Sequence, residues 1–504
     1  MTRGGIRLAV AAGVIAAASF VIQADGSSHS QATEIQLQLG RELLSEGRYL
    51  DALDAFKRAL AAAGPDDLRT ARGGLIQTAL RVADFDLARS EAEKLVAGTP
   101  HSADAIALHG DTLWAAGLFQ EAEGRYQEAL ALAPDLARGH HGVARALAAQ
   151  NRLDEAIEEV QTALRLAPRD LEVYHTLGSI YEQMHRFEEA AAAYTNYINL
   201  LPNKDQSEQA DWARARVRFL RSFGQRVPYQ TEASADGQVH TIDFRLVNDK
   251  VIVRARVNDG PLQDFVVDTG SENTVLTRPT AQRAGVTPIT YTLSAGVGEV
   301  GLRGLQLARI NKLEVGGLKL RNVPCVIKDP PLRDLPKQES ESLSPLAFGY
   351  SMVIDYRARK IVFGRHLPQE PSDVELPLRV HRLATVRGTV DGAHAANFVV
   401  DTGGEVISIS KSTAAAIGKE EPARRIALKV WGSSGWDRDA FLLTGIDLKF
   451  SDIRYDNFSV VVLNLNTPSA LLGFQVGGIV GHKFLSRYRV AMDLERSVLG
   501  LTKM

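Results

Sequence analysis

The sequence predicts a multidomain protein in which an all-α solenoid is followed by two small all-β lobes. Three observations predict this architecture. A 34-residue period runs through roughly the first 200 residues, strand-like segments dominate the remainder, and the hexapeptide Phe-Val-Val-Asp-Thr-Gly occurs twice. With 504 residues, 45% of them hydrophobic, the chain is long enough for about three compact units.

Residues 1–24 predict an export signal. Arg3 and Arg7 precede an apolar run from Leu8 to Ile22, and the small residue Ala24 marks a cleavage point. The run is short for a bilayer span, and an uncleaved N-terminal anchor is the alternative. We therefore expect an exported, periplasmic protein, either released or tethered at its beginning.

Charge and cysteine content exclude several classes of protein. A formal net charge of −2 gives no reason to expect nucleic acid or an anionic membrane surface as a partner. Cys325 is the only cysteine, which excludes an internal disulfide, and its apolar neighbours predict a buried strand residue. The sequence has no zinc-binding cysteine cluster and no His-Glu-x-x-His motif. We expect no metal and no cofactor.

Prolines recur every 34 residues in the N-terminal half, at Pro100, Pro134, Pro168 and Pro202. Two further series keep this period: Phe85, Phe119, Leu153 and Phe187, and Ala88, Ala122, Ala156 and Ala190. Each unit fits two amphipathic helices, in which small residues allow close approach and the proline ends the second helix. The pattern resembles the tetratricopeptide repeat.

This resemblance implies a solenoid domain over 33–224, with five repeats from about 33 to 202. The stretch from Asp205 to Phe223 carries apolar residues at helical spacing and predicts a capping helix. Such solenoids present a concave groove, where we expect a protein partner to bind.

Residues 225–236 predict a linker, because the helical period stops there and Pro, Ser, Gly and Asp appear. Alternating and apolar strand patterns follow, with hairpin signals such as Asn258-Asp259-Gly260. We expect two lobes, at 237–365 and 372–504, separated by a proline-rich join.

The duplicated hexapeptide places Asp268 and Asp401 at the ends of apolar strands, 133 positions apart. A buried carboxylate needs hydrogen bonds, and the Thr and Gly that follow each aspartate can provide them. Two such turns face to face would hold one shared proton. One carboxylate could then activate water while the other protonates a carbonyl oxygen.

Asp-Thr-Gly-Ser after an apolar strand, followed by Thr274-Val275-Leu276, resembles the retropepsin and pepsin superfamily of aspartic proteases. The resemblance implies retropepsin-like lobes, catalytic roles for Asp268 and Asp401, and a peptide or protein substrate. It also implies active-site loops containing Thr269, Gly270, Ser271, Thr402, Gly403 and Gly404.

The family pattern has a later apolar-apolar-Gly segment in each lobe. Gly481 fits it in the second lobe, whereas Ser344 stands at the expected glycine of the first. The competence of lobe 1 is therefore an open question. The sequence also leaves open whether the aspartates pair within one chain or between two.

Each lobe holds a glycine-bearing stretch between its aspartate and its closing strands. By resemblance these stretches are flaps that fold over bound peptide, and an ordinary hairpin turn is the alternative. The flap candidates are Gly296, Gly298, Trp431, Gly432 and Gly435.

The sequence is consistent with two alternative functions. The first is an exported aspartic endopeptidase whose repeat array binds proteins. The second is a non-catalytic periplasmic scaffold with protease-like lobes that bind peptides. The geometry of Asp268 and Asp401 discriminates between them.

Overall fold

The N-terminal half forms five antiparallel helix hairpins and a closing helix, as the repeat period predicts. The computed structural model describes residues 31–205, 207–232, 239–297, 302–328, 341–419, 425–432 and 434–504, so the predicted signal at 1–24 lies outside it. The helices are α1 (31–45), α2 (Tyr49–Ala62), α3 (Pro65–Arg81), α4 (Phe85–Gly98), α5 (Ala103–Ala115), α6 (Phe119–Leu132), α7 (Ala137–Ala149), α8 (Leu153–Leu166), α9 (Leu171–Gln183), α10 (Phe187–Leu200) and the capping helix α11 (Glu208–Arg221).

Glycines let aromatic side chains fill the space between neighbouring helices. A Cβ on Gly142 of α7 would lie 2.2 Å from the ring of Tyr126, and one on Gly74 of α3 would lie 2.2 Å from the ring of Phe56. Both rings are fully buried. The small residues of the repeat are therefore required by helix packing.

The array curls until its two ends meet. Asn203, after the fifth hairpin, donates from Nδ2 to the carbonyl oxygen of Glu46 in the first hairpin, at 2.5 Å. Between these points, Arg81 of α3 forms an ion pair with Glu172 of α9. These contacts hold the first and second repeats against the end of the array.

Lobe 1 is built on a sheet of mixed parallel and antiparallel strands. Its elements are β1 (Gln230–Thr231), β2 (His240–Asp243), β3 (Arg245–Val247), β4 (Lys250–Val257), β5 (Leu262–Val267), β6 (Thr274–Thr277), α12 (Arg278–Arg283), β7 (Pro288–Ala295), β8 (Leu302–Val315), β9 (Leu318–Lys328), β10 (Glu341–Leu343), a 3₁₀ turn (Leu346–Phe348), β11 (Ser351–Asp355) and β12 (Lys360–Gly364). The predicted linker 225–236 contains β1, which pairs with β9. This part of the linker is therefore an edge strand of lobe 1 and not a free connection.

Lobe 2 repeats lobe 1 with the offset of the two aspartates. Its elements are β13 (Val374–His381), β14 (Leu383–Val390), β15 (His394–Val400), β16 (Ile407–Ser410), α13 (Lys411–Ala416), β17 (Arg425–Ala427), β18 (Val430–Gly432), β19 (Gly435–Asp437), β20 (Phe441–Phe450), β21 (Ile453–Leu463), α14 (Asn466–Leu472), β22 (Gly478–Val480), α15 (His482–Leu485), β23 (Tyr488–Asp493) and β24 (Val498–Lys503). Strands β4 and β14, strands β6 and β16, and helices α12 and α13 each begin 133 residues apart.

The lobes are joined by a shared sheet. Its strand order is β2-β12-β11-β23-β24-β13, and the lobes meet where β11 pairs with β23 in antiparallel register. Ile354 faces Val490 at this junction, and both are fully buried in an apolar core that continues through the two lobes. The junction is therefore formed by both backbone hydrogen bonds and apolar packing.

The solenoid docks on the lobes through the turns inside its hairpins. Gly117, Asn151 and His185 occupy the same repeat position, and their φ angles of 76°, 57° and 59° are all left-handed. A Cβ on Gly117 would lie 2.8 Å from the carbonyl oxygen of Gln475 in lobe 2. Asn151 Nδ2 donates to the carbonyl of Leu494 at 3.1 Å. The ring of His185 reaches the other lobe, where Nε2 lies 3.3 Å from the carbonyl oxygen of residue 347.

Apolar side chains extend this docking to both lobes. Phe119 packs edge-on against Phe474 of lobe 2, with 5.2 Å between ring centroids. Phe187 and Phe223 share a buried cluster with Val275 of lobe 1. The solenoid therefore bridges the two lobes. Within the described ranges, we find no helix that is both long and apolar enough to cross a membrane.

We predict that Gly117→Ala lowers the free energy of unfolding by about 2 kcal/mol, because the new Cβ would meet lobe 2 and strain a left-handed turn. Gly124→Ala is the matched control in helix α6, where no atom lies within 4 Å of the added Cβ. It should raise stability by up to about 1 kcal/mol. Urea unfolding measures both, and equal changes would contradict the docking role of Gly117.

Candidate active site

Each predicted catalytic aspartate directly follows a buried strand and is fixed by a neighbouring one. Asp268 follows β5, and its N–H donates to the carbonyl of Leu343 in β10 at 2.9 Å. Asp401 follows β15, and its N–H donates to the carbonyl of Val480 in β22 at 3.0 Å. The strands β10 and β22 both run parallel to the aspartate strand of their own lobe. The two lobes therefore present their aspartates in the same way.

Reciprocal hydrogen bonds between Thr269 and Thr402 join the two loops. Thr269 Oγ1 donates to the carbonyl of Val400 at 2.6 Å, and Thr402 Oγ1 donates to that of Val267 at 2.7 Å. Each hydroxyl oxygen also accepts from the other threonine's N–H, at 3.2 and 3.1 Å. Both residues are fully buried. The loops are thus held at a fixed separation.

The two carboxylates face each other within one chain. A Cβ on Gly270 would lie 2.5 Å from Cγ of Asp401, and one on Gly403 would lie 2.8 Å from Cγ of Asp268. Each carboxylate therefore lies directly against the glycine of the opposite loop, where a larger residue would displace it. The pairing that the sequence left open is intramolecular.

The carboxylates differ in their hydrogen bonds. Asp401 Oδ1 accepts from the N–H groups of Gly403 and Gly404, at 2.8 and 2.9 Å. Asp268 Oδ1 accepts from that of Gly270 at 3.0 Å. Burial and the charge of Asp401 raise the pKa of Asp268 to about 7. Burial also raises the pKa of Asp401, but its two N–H donors counter that rise. This asymmetry favours the shared proton on Asp268.

In lobe 1, Ser344 stands where the family pattern has glycine, and its side chain is accommodated by a hydrogen bond. Ser344 is fully buried, and its Oγ donates to the carbonyl of Ser271 in the active-site loop. In lobe 2 a Cβ on Gly481 would lie 2.8 Å from the carbonyl oxygen of Gly404. Lobe 1 therefore has space for a side chain at this position, and lobe 2 does not. Ser344 braces the first loop rather than obstructing it.

The two flap candidates meet at their tips. The N–H of Ser434, in the turn between β18 and β19, donates to the carbonyl of Val297 in lobe 1 at 2.9 Å. Gly432 permits this approach, because a Cβ there would lie 2.2 Å from the same oxygen. Gly296 and Gly435 flank the contact in sequence. Gly298 lies outside the described residues, as does the side chain of Trp431, whose backbone pairs with that of Trp436.

Sequence reasoning missed an ion pair beside the aspartates. Arg382 of lobe 2 forms a two-pronged contact with Glu272, the fourth residue after Asp268, at 2.8 and 3.0 Å. The constant offset of 133 residues could have revealed that the equivalent positions in the other half carry Asp249 and Glu405.

We predict that Thr402→Val lowers the free energy of unfolding by about 2 to 4 kcal/mol, because it leaves two buried backbone groups without partners. Thr402→Ser keeps the hydroxyl and should retain most of the free energy of unfolding that Thr402→Val loses. Denaturant unfolding compares the two variants. Equal destabilisation would show that the methyl group, and not the reciprocal hydrogen bonds, is responsible.

We also predict a pH-dependent effect of Asp268→Asn on stability. Because the pKa of Asp268 is raised from 3.8 to about 7, the folded protein binds this proton more tightly than the unfolded chain. That contribution is full below about pH 4 and is lost as the pH rises through about 7. The variant should therefore gain melting temperature relative to the wild type at pH 8 more than at pH 4.5. The exposed-turn control Asp452→Asn should show no such difference, and a gain independent of pH would contradict the raised pKa.

Comparison with protein families agrees with both halves of the fold. A family model described as aspartyl protease matches residues 253–351 and 386–481, which covers both aspartate loops. Three models described as tetratricopeptide repeat match residues 37–103, 113–178 and 171–204. Among curated proteins, none matches this chain.

Solved structures similar to the chain include three from bacteria. A thermophilic tetratricopeptide repeat protein of Thermus thermophilus is 24% identical over 37% of this chain and 98% of its own, with a TM-score of 0.32. PilF of Pseudomonas aeruginosa is 19% identical over 38% of this chain and 93% of its own, with a TM-score of 0.28. MamA of Desulfovibrio magneticus is 19% identical over 35% of this chain and 98% of its own, with a TM-score of 0.25. The family-model matches show that the chain carries N-terminal tetratricopeptide repeats and two tandem domains of the aspartyl protease family.

Proposed function

We propose that the chain is an aspartic peptidase that hydrolyses peptide bonds with a water activated by Asp268 and Asp401. The observation that carries this proposal is the contact of each carboxylate with the glycine of the opposite loop. That arrangement brings two acids from separate lobes to one point, with a single proton between them. It provides a base and an acid together without any other group.

In this mechanism Asp401 begins as the ionised partner, because it accepts two backbone N–H bonds. It takes a proton from the water as the water oxygen bonds to the peptide carbonyl carbon. Asp268, protonated near neutral pH, gives its proton to the carbonyl oxygen. The product is a neutral diol on the substrate, with the proton of the pair now on Asp401.

Breakdown of the diol restores the starting state. Asp401 passes its proton to the amide nitrogen, the carbon–nitrogen bond breaks, and Asp268 regains a proton from a diol hydroxyl. The products are a carboxylic acid and an amine, and the pair again holds one proton. Because Asp268 serves as the acid, activity should fall as the pH rises above about 7.

We propose that the two flap candidates close together over a bound peptide. The hydrogen bond between Ser434 and Val297 joins a tip from each lobe, so opening requires one backbone bond to break. Closure of this kind excludes bulk water from bound peptide. Tetratricopeptide repeats mediate protein–protein interactions, and we propose that the free surface of the solenoid recruits a protein. The N-terminal 1–24 would direct the protein to the periplasm.

We predict that Asp268→Asn and Asp401→Asn each lower peptide hydrolysis by about a hundredfold or more, because either change removes one partner of the proton pair. Asp452→Asn, an exposed turn change in lobe 2, should retain wild-type activity. Cleavage of a mixed peptide library, followed by mass spectrometry from pH 4 to pH 9, measures all four proteins.

Equal cleavage by the wild type and both aspartate variants would reject the catalytic pair. Absence of cleavage in every protein, combined with peptide binding that the aspartate variants retain, would favour the non-catalytic scaffold.

A further inference from the structure

The two halves of the molecule carry opposite charges at one pair of equivalent positions, Asp249 and Arg382. Glu272 and Glu405 each lie four residues after the aspartate of their lobe. Asp249 and Arg382 each lie 19 residues before it, directly ahead of β4 and β14, with left-handed φ angles of 58° and 63°. Equal spacing and equal backbone conformation make these positions structural counterparts, although their charges are opposite.

In one half, the glutamate is neutralised by the chain itself. Arg382 holds both carboxylate oxygens of Glu272, and its third nitrogen donates to the carbonyl of Leu471 at 2.5 Å. The preceding residue, His381, packs edge-on against Trp114 of helix α5, with 5.2 Å between ring centroids. This side of the pair therefore lies against the solenoid.

In the other half, two acids take the place of that ion pair. Asp249 and Glu405 are both exposed, and neither forms an ion pair among the described residues. Glu405 lies beside His482, because the N–H of His482 donates to the carbonyl oxygen of Gly404 at 2.8 Å and that of Lys483 to the carbonyl oxygen of Glu405 at 2.9 Å. Asp249 stands where Arg382 stands in the other half, with the same spacing and a similar φ angle. The charges of both acids counter the lowering of the pKa of His482 by burial and by Arg359. His482 is 3% exposed, and its Nδ1 has no hydrogen-bond partner in the part of the chain that the structure describes.

We propose that Asp249 and Glu405 form a subsite for an arginine side chain of the substrate, an inference that rests on the proposed peptidase function. The counterpart carboxylate of Glu272 shows which group fits, because it binds a guanidinium through two hydrogen bonds. A planar guanidinium matches a carboxylate in this manner better than an ammonium group does. A substrate arginine would supply the positive charge that Arg382 supplies on the other side.

The position of the subsite makes it specific to one end of the substrate. Glu405 follows directly after Gly404, whose N–H contacts Asp401, so a side chain bound there belongs to a residue close to the cleaved bond. The equivalent place on the other side is already filled by Arg382. The protein therefore recognises a substrate arginine on one side of the cleaved bond and not on both.

The test compares peptides that carry either arginine or methionine at single positions around the cleaved bond. We expect kcat/KM of the wild type to favour arginine by about tenfold at one position, as for one charged hydrogen bond. Glu405→Gln and Asp249→Asn should each reduce this ratio. Asp249→Arg should abolish it, because it recreates the ion pair of the other half. Asp54→Asn, an exposed change in helix α2, is the control and should leave the ratio unchanged.

Binding of the same peptides to the Asp268→Asn protein separates the subsite from hydrolysis. If the wild type cleaves no peptide, the proposed function fails, and tighter binding of arginine peptides by this variant still supports the subsite. Equal kcat/KM for both peptide sets at every position overturns it. The subsite proposal is also overturned if the Asp268→Asn protein binds the arginine and methionine peptides equally, or binds neither set detectably.

Discussion

The structure depends on the hydrogen bonds that Thr269 and Thr402 exchange across the boundary between the lobes. Each threonine belongs to one loop but bonds to the strand that supports the other, at Val400 and Val267. Because the bonds are reciprocal and buried, neither loop can move without breaking the contacts of both. The separation of the two acids is therefore a property of the threonines, and the shared sheet and the solenoid act to keep the lobes in the register that these bonds require.

Duplication has produced a site that is symmetric in backbone and asymmetric in charge. The strands and helices around the two loops coincide at a constant offset, yet Asp401 accepts two N–H bonds where Asp268 accepts one. The serine at Ser344 shows the same principle, because a side chain fits where the second lobe has space only for glycine. Small local differences of this kind decide which acid holds the proton, while the common fold ensures that both are present.

Sequence alone could predict the repeat array, the two lobes and the face-to-face acids, because each leaves a periodic or duplicated pattern. It could not predict that the acids pair within one chain, since this depends on how β11 and β23 join the lobes. The sequence identified Ser344 as a departure but gave no sign of its effect, because the accepting carbonyl of Ser271 becomes its neighbour only in the folded chain. The sequence related the two flap candidates to each other but could not predict their contact at Val297, because the contact depends on how the folded lobes face each other.

The docking turns at Gly117, Asn151 and His185 have a consequence for how this protein can change over evolutionary time. A free-standing repeat array tolerates the gain or loss of a whole unit, because each unit contacts only its neighbours. Here three successive units are each bound to a different site on the joined lobes, and the ends of the array also touch. Removing or inserting one unit would shift the others out of register with their docking sites, so the number of repeats is fixed by the protease domains.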